Sequence, residues 1–339
     1  MNGRRRRAFL VGTLGTIVVF AVLFTLVGAR RVVRSLLTAE PSLVAATFGL
    51  ALCWLIAWSL MLRTVMRSLE IGLSVQTSFL VYAGAVFANN VTPFGQAGGE
   101  PIAAALISKA SDAEYETSLV GIASVDICNV VPSVSLVLVG VGAYAATATV
   151  GERIQDAVGL AIVLVGGTGL VIGFAWRYRA TIVERAPAIV ASVGGFLGGG
   201  RLDGESLEAE LEKRLHRMFE DVDRVRTDRR RLAVVIGLSL VGWLFQAIAL
   251  LAAFAALGHG VSIAVALFVV PLGYVAGSTP LPGGLGGIEA ALVAMLVPAT
   301  GIAAPAVTAA VLIFRGAVFW MPILVGGGSI AALGARAVT

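Results

Sequence analysis

The sequence predicts an all-α, polytopic membrane helix bundle containing two re-entrant broken-helix hairpins of opposite orientation, an inverted repeat. Three observations predict it. First, the 339-residue chain is 58% hydrophobic and only 13% charged, with a mean hydropathy of +0.93; a soluble domain carries about 25% charge. Second, two apolar stretches are interrupted by nearly the same motif. One reads Thr92-Pro93-Phe94-Gly95-Gln96-Ala97-Gly98-Gly99-Glu100, the other Thr279-Pro280-Leu281-Pro282-Gly283-Gly284-Leu285-Gly286-Gly287-Ile288-Glu289. Third, the basic residues gather in a few loops, the pattern that sets membrane orientation.

Apolar windows long enough for spans, or nearly so, fall at 8–29, 41–62, 75–91, 118–150, 157–176, 232–257, 262–277, 288–297 and 305–326. The first follows Arg4–Arg7 and lacks a convincing small-residue cleavage site, so it reads as a retained span, with a cleaved signal peptide as the alternative. The basic stretch from Arg177 to Arg231 and the Arg4–Arg7 cluster belong on the cytoplasmic side. The first two spans then return the chain to that side at Arg63 and Arg67. The span at 157–176 must run inward and the span at 118–150 outward. The segment 75–107 therefore starts and finishes inside, as a hairpin turning at Asn89-Asn90-Val91-Thr92-Pro93. By the same accounting 262–297 starts and finishes outside, turning within 279–287. Interrupted segments in corresponding halves of a membrane protein point to a binding site near the midplane. Arg30, Arg31, Arg34 and Arg153 fall outside in this scheme; an interfacial helix from Arg31 to Leu37 accommodates the first three.

The residues of the breaks, Thr92, Pro93, Gly98, Gly99, Pro280, Pro282, Gly283, Gly284, Gly286 and Gly287, read as structural. Proline removes a backbone donor and glycine permits turns and close helix approach. The candidate substrate-binding residues are the polar groups placed in hydrocarbon: Asn90, Glu100, Asp126, Asn129, Glu289 and Arg315. Glu100 and Glu289 are expected in the first turn of the second half-helices, where a carboxylate caps free N–H groups. Alternatively, they line a polar cavity and bind a cationic headgroup or a proton. Asn89 and Asn90 sit at the first tip, suited to satisfy freed backbone or to touch substrate. Asp126, Asn129 and Ser133 recur about a helical turn apart, a polar stripe ahead of the loosening at Pro132. Arg315 lies mid-span and requires a carboxylate from another helix; Glu100, Asp126 and Glu289 are the candidates.

Between 177 and 231 the composition turns charged and helical, with Leu207, Leu211, Leu215, Met218, Val222 and Val225 forming one apolar stripe. That suits an amphipathic helix on the membrane surface or against the bundle. Cys53 and Cys128 lie in apolar runs, which argues against a disulfide framework. His216 and His259 have no partner at ligand spacing, so neither a metal centre nor a Ser-His-Asp site is indicated, and no cofactor motif appears. The basic loops lack the aromatic interleaving of a nucleic-acid groove.

In Asn90-x-x-Pro93 leading to Gly99-Glu100, then Asp126, then Pro280-x-Pro282-Gly283-Gly284-x-Gly286-x-x-Glu289, the chain resembles the membrane domain of the lysylphosphatidylglycerol synthase family, often called flippase-like. The resemblance covers nearly the whole chain. It implies a single multi-pass domain over 1–339 that moves a phospholipid or lipid-linked headgroup between leaflets of the cell membrane. The best-known members add a cytoplasmic aminoacyl-transferase domain. Here the chain ends at Thr339, soon after the last span, so lipid aminoacylation is not expected. Many members carry an arginine shortly after the Gly-Glu pair, where this chain has Pro101-Ile102-Ala103-Ala104. The Glu-Arg pair common just before the span aspartate is replaced by Ser124-Val125.

The expected localisation is the cell membrane, with both termini and the 177–231 insert cytoplasmic. Membrane lipids are the expected partners, with a lipid-modifying enzyme or a second copy of the chain as further candidates and no nucleic acid. Two other functions compete with lipid movement: an intramembrane lipid-headgroup-modifying enzyme, and a non-transporting scaffold for a lipid-modifying partner.

Overall fold

The computed structural model describes residues 27–92, 96–111, 113–147, 228–278 and 282–336, together with positions 19, 21, 22 and 25. Pro93, Pro280, most of the first predicted span, the span at 157–176 and the insert up to residue 227 lie outside the described residues. Helices α1 to α10 run Ala29–Leu37, Pro41–Ser68, Val75–Val91, Gln96–Ser111, Tyr115–Thr147, Arg229–Ala255, Ile263–Val275, Gly287–Thr300, Ala304–Arg315 and Met321–Arg336. No strand occurs among the described residues. The short α1 stands where the sequence suggests an interfacial helix. A π-helical turn, Gly316–Trp320, joins α9 to α10.

Helix starts follow local chemistry. Pro41 opens α2, where its missing donor costs nothing. Ser74, Asp228 and Ser262 cap α3, α6 and α7 by accepting the free N–H groups of Thr77, Arg231 and Ala264. Four apolar stretches, Pro41–Ser68, Tyr115–Ala146, Arg229–Ala255 and Ala304–Ala331, are long enough to cross a membrane. The apolar helices Ile263–Val275 and Gly287–Thr300 are shorter. At about 1.5 Å per residue, the 28 residues of α2 span about 42 Å, against a hydrocarbon core of about 30 Å. Leucine, valine and isoleucine facing outward, such as Ile127, Val131 and Leu138 along α5, suit contact with lipid.

The antiparallel pair α2 and α6 forms the most extensive helix contact. At one end Glu40 N–H donates to Ala256 C=O; at the other Arg231 Nη1 donates to Arg67 C=O. Arg63, Arg67 and Arg229–Arg231 thus share one end of the bundle. Small residues let the helices close. The Trp58 indole lies where Gly242 has no side chain, and its Nε1 donates to Ser239 C=O. Gly140 on α5 leaves space for Ala264 C=O on α7. Without a hydrophobic drive between helices in lipid, such contacts carry much of the packing.

The sequence-predicted hairpins are two helix–break–helix units, α3–α4 and α7–α8. The base of the first lies at the Arg67 end, where Arg63 Nε donates to Leu73 C=O. The base of the second lies at the other end, where Ser262 follows Ala256 and Tyr144 Oη, near the end of α5, donates to Ala299 C=O. One detail differs from the sequence reading. Helix α4 begins at Gln96, so Glu100 stands beyond the first turn rather than in it.

Candidate functional site

The two breaks touch. Gly283, at φ +56°, lies so close to α3 that an added Cβ would come within 2.7 Å of Asn90 C=O. A positive φ disfavours a side chain, and the contact leaves no room for one. A cavity of about 840 Å³ opens beside this meeting point. It is lined from α2 to α9, and its polar wall holds Asn89, Asn90, Glu100, Asp126, Asn129, Ser133 and Arg315. Thus the structure brings together five of the six candidate binding residues. Glu289 is not part of the wall.

Glu289 has two structural tasks instead. As the third residue of α8 its Oε2 accepts the Gly286 N–H at 2.6 Å, closing the cap. Its Oε1 accepts from Arg315 Nε, also at 2.6 Å. Arg315 Nη2 donates to Gly283 C=O at 3.3 Å, and its guanidinium lies 4.7 Å from the centre of the Phe319 ring. One arginine therefore ties α9 to both the turn and the start of the second half-helix. The pairing resolves the partner choice left open by the sequence.

Asp126 projects from α5 toward the cavity, while Ile127 and Val131 on the same helix face outward. Its carboxyl group and that of Glu100 on α4 meet within hydrogen-bonding reach. The polar stripe continues to Asn129, whose Oδ1 accepts from Ser239 Oγ at 2.5 Å and whose C=O accepts from Trp243 Nε1 at 3.3 Å. Asn129 thus lines the cavity and also bolts α5 to α6. Three polar atoms of cavity-lining residues are buried without a protein partner: Asn89 Oδ1, Asp126 Oδ2 and Trp54 Nε1. The Asn89 side chain packs against Gly99, and its Oδ1 finds no partner there. A buried polar group lacking a partner is costly, which marks this space for water or a ligand.

Aromatic side chains, not singled out from the sequence, line the same cavity: Trp54, Trp58, Tyr82, Trp243 and Tyr274. Trp58 packs edge-to-face against Trp54, Trp243 and Tyr82, with ring centres 5.4, 5.3 and 6.5 Å apart. Trp243 continues the chain to Tyr274 at 5.5 Å, and Tyr274 Oη donates to Gln246 Oε1. The available signal was spacing: Trp54 and Trp58 lie one helical turn apart in mid-span, away from the membrane interfaces where tryptophan usually collects. Among the described residues no group of three or more His, Cys, Asp or Glu side chains could hold a metal ion.

The sequence is similar to known membrane proteins over most of its length. A membrane protein of Methanothermobacter thermautotrophicus named as UPF0104 is 26% identical over 329 residues, covering 95% of this chain and 92% of that protein. A second UPF0104 membrane protein of the same organism is 23% identical over 320 residues, covering 93% and 92%. Residues 9–326 match the family described as the lysylphosphatidylglycerol synthase TM region, and with the apolar bundle described above the chain is a multi-pass membrane protein belonging to that family.

Proposed function

We propose that this protein moves a phospholipid or lipid-linked headgroup between leaflets, the headgroup passing through the cavity while its tails stay in lipid. The observation that carries this reading is the placement of a roomy, polar-walled cavity where two interrupted helical hairpins meet inside an apolar bundle. Segment length supports treating the hairpins as re-entrant. The 17 residues of α3 and the 13 of α7 extend about 25 and 20 Å, short of the roughly 30 Å hydrocarbon core. With bases at opposite ends of the bundle, each hairpin would gate one side, as in inverted-repeat transporters. Glu100, Asp126, Asn90 and Asn129 would meet the headgroup, and Arg315 would hold the second tip in place.

The test is leaflet accessibility of labelled phospholipids in vesicles reconstituted with the purified protein. The expected result is protein-dependent movement that falls about tenfold in Asn90→Ala. Tenfold corresponds to about 1.4 kcal/mol, the scale of one hydrogen bond to a charged group. Equal rates in protein-containing and empty vesicles would remove the proposal.

A further inference from the structure

We propose that Glu100 and Asp126 form a proton-operated latch: with one proton shared between them they hold α4 onto α5, and loss of that proton frees this leg of the first hairpin. An ionised carboxylate only accepts hydrogen bonds, so two carboxyl groups can bond each other only when one of them carries a proton. Glu100 and Asp126 stand on the same cavity wall, from α4 and α5, with their carboxyl groups in reach of each other, so a bond between them requires one proton. Among the described residues neither acid has a cationic partner, because Arg315, the cation on the cavity wall, is committed to Glu289. Asp126 Oδ2 is shut off from solvent without a donor, and so is Asn89 Oδ1, which packs against Gly99 immediately before Glu100. Both atoms are acceptors, which a proton on the pair would serve; Trp54 Nε1 on α2, also unpartnered, is a donor.

Among the described residues, the other titratable or charged groups facing this space are Tyr82 of α3, Tyr274 of α7 and Arg315 of α9. Helices α2 and α6 present Trp54, Trp58 and Trp243, which do not titrate. With the proton gone, two like charges confront each other away from water and the bond becomes a repulsion. The bistable element is α4, joined to the Asn90–Gly283 meeting point through the first break. A proton that binds the latched state alone shifts its population. Under the transport reading, on which this last step rests, a proton gradient would drive hairpin movement.

Infrared spectra of the purified protein test the latch. A protonated-carboxyl stretch should disappear as pH rises and be absent in both E100Q and D126N. In E100Q the amide donates to Asp126 and keeps the latch shut. Hydrogen exchange in α4, corrected for intrinsic rates, should therefore rise with pH in the wild type and stay flat in E100Q, with α2 and α6 unchanged as a check on folding. A band that persists in both variants, or α4 exchange indifferent to pH in the wild type, overturns the latch. In vesicles, one pH unit should change lipid movement by up to about tenfold, the free energy of one proton over that gradient. Lipid movement that ignores the gradient overturns the coupling. No movement under any condition sinks the transport reading, while the infrared and exchange results still decide the latch.

Discussion

Replacing Glu289 with glutamine should cost far more stability than breaking the exposed Asp228–Arg231 pair. Its side chain is 2% exposed and that of Arg315 is 5% exposed, with a 2.6 Å contact between them. The glutamine amide oxygen can still accept the Gly286 N–H, so the exchange leaves the cap and removes the charge. Arg315 would then be a buried cation left with the Gly283 carbonyl and the Phe319 ring but no paired carboxylate among the described residues. Stranding one member of a buried pair costs about 3–5 kcal/mol. Glu289→Ala removes the cap as well and should cost about 1 kcal/mol more. By contrast Arg231 and Asp228 are 48% and 43% exposed at 3.0 Å. Breaking that pair should cost under about 1 kcal/mol, because water screens both charges. The assay is reversible unfolding in mixed micelles with increasing denaturing detergent, followed by circular dichroism. Adding Arg315→Met to Glu289→Gln removes the stranded cation, so the double variant should regain at least about 2 kcal/mol relative to the sum of the singles. Single variants costing less than about 1 kcal/mol, or effects that add within about 0.5 kcal/mol, would refute the clasp.

The same unfolding measurement checks three other sites. Gly283→Ala should lose at least about 2 kcal/mol, since a left-handed conformation alone costs a side chain about 1–2 kcal/mol and the new Cβ would crowd Asn90 C=O; a neutral result would mean that the tips do not pack as described. Asn129→Leu strands the Ser239 hydroxyl and should cost about 1–3 kcal/mol, part of it recovered by adding Ser239→Ala. Trp58→Ala should cost about 3–5 kcal/mol through the cavity it leaves, whereas Trp58→Phe keeps much of the ring packing and gives up the bond to Ser239 C=O, about 1 kcal/mol.

What the sequence reveals here is what a helix decides by itself. Proline and glycine act on their own turn, so both interruptions could be placed, and Val75–Val91 is both the window read from hydropathy and the helix observed. The one-turn error at Glu100 comes from the same rule applied too strictly. Gln96, Ala97, Gly98 and Gly99 belong to the helix, and Gly99 leaves room for the Asn89 side chain beside it, a contact from outside that stretch. Partner choice is non-local as well. The cost of a bare charge in hydrocarbon demands a carboxylate for Arg315, but Glu100, Asp126 and Glu289 satisfy that demand equally on paper. The decision comes from the Gly286 turn, which directs Glu289 toward both its cap and Arg315. Once Glu289 is taken, Glu100 and Asp126 remain without a cation among the described residues. The division of labour follows from that allocation: the second break is pinned by a charge pair, and the first is left holding two acids against each other beside the cavity.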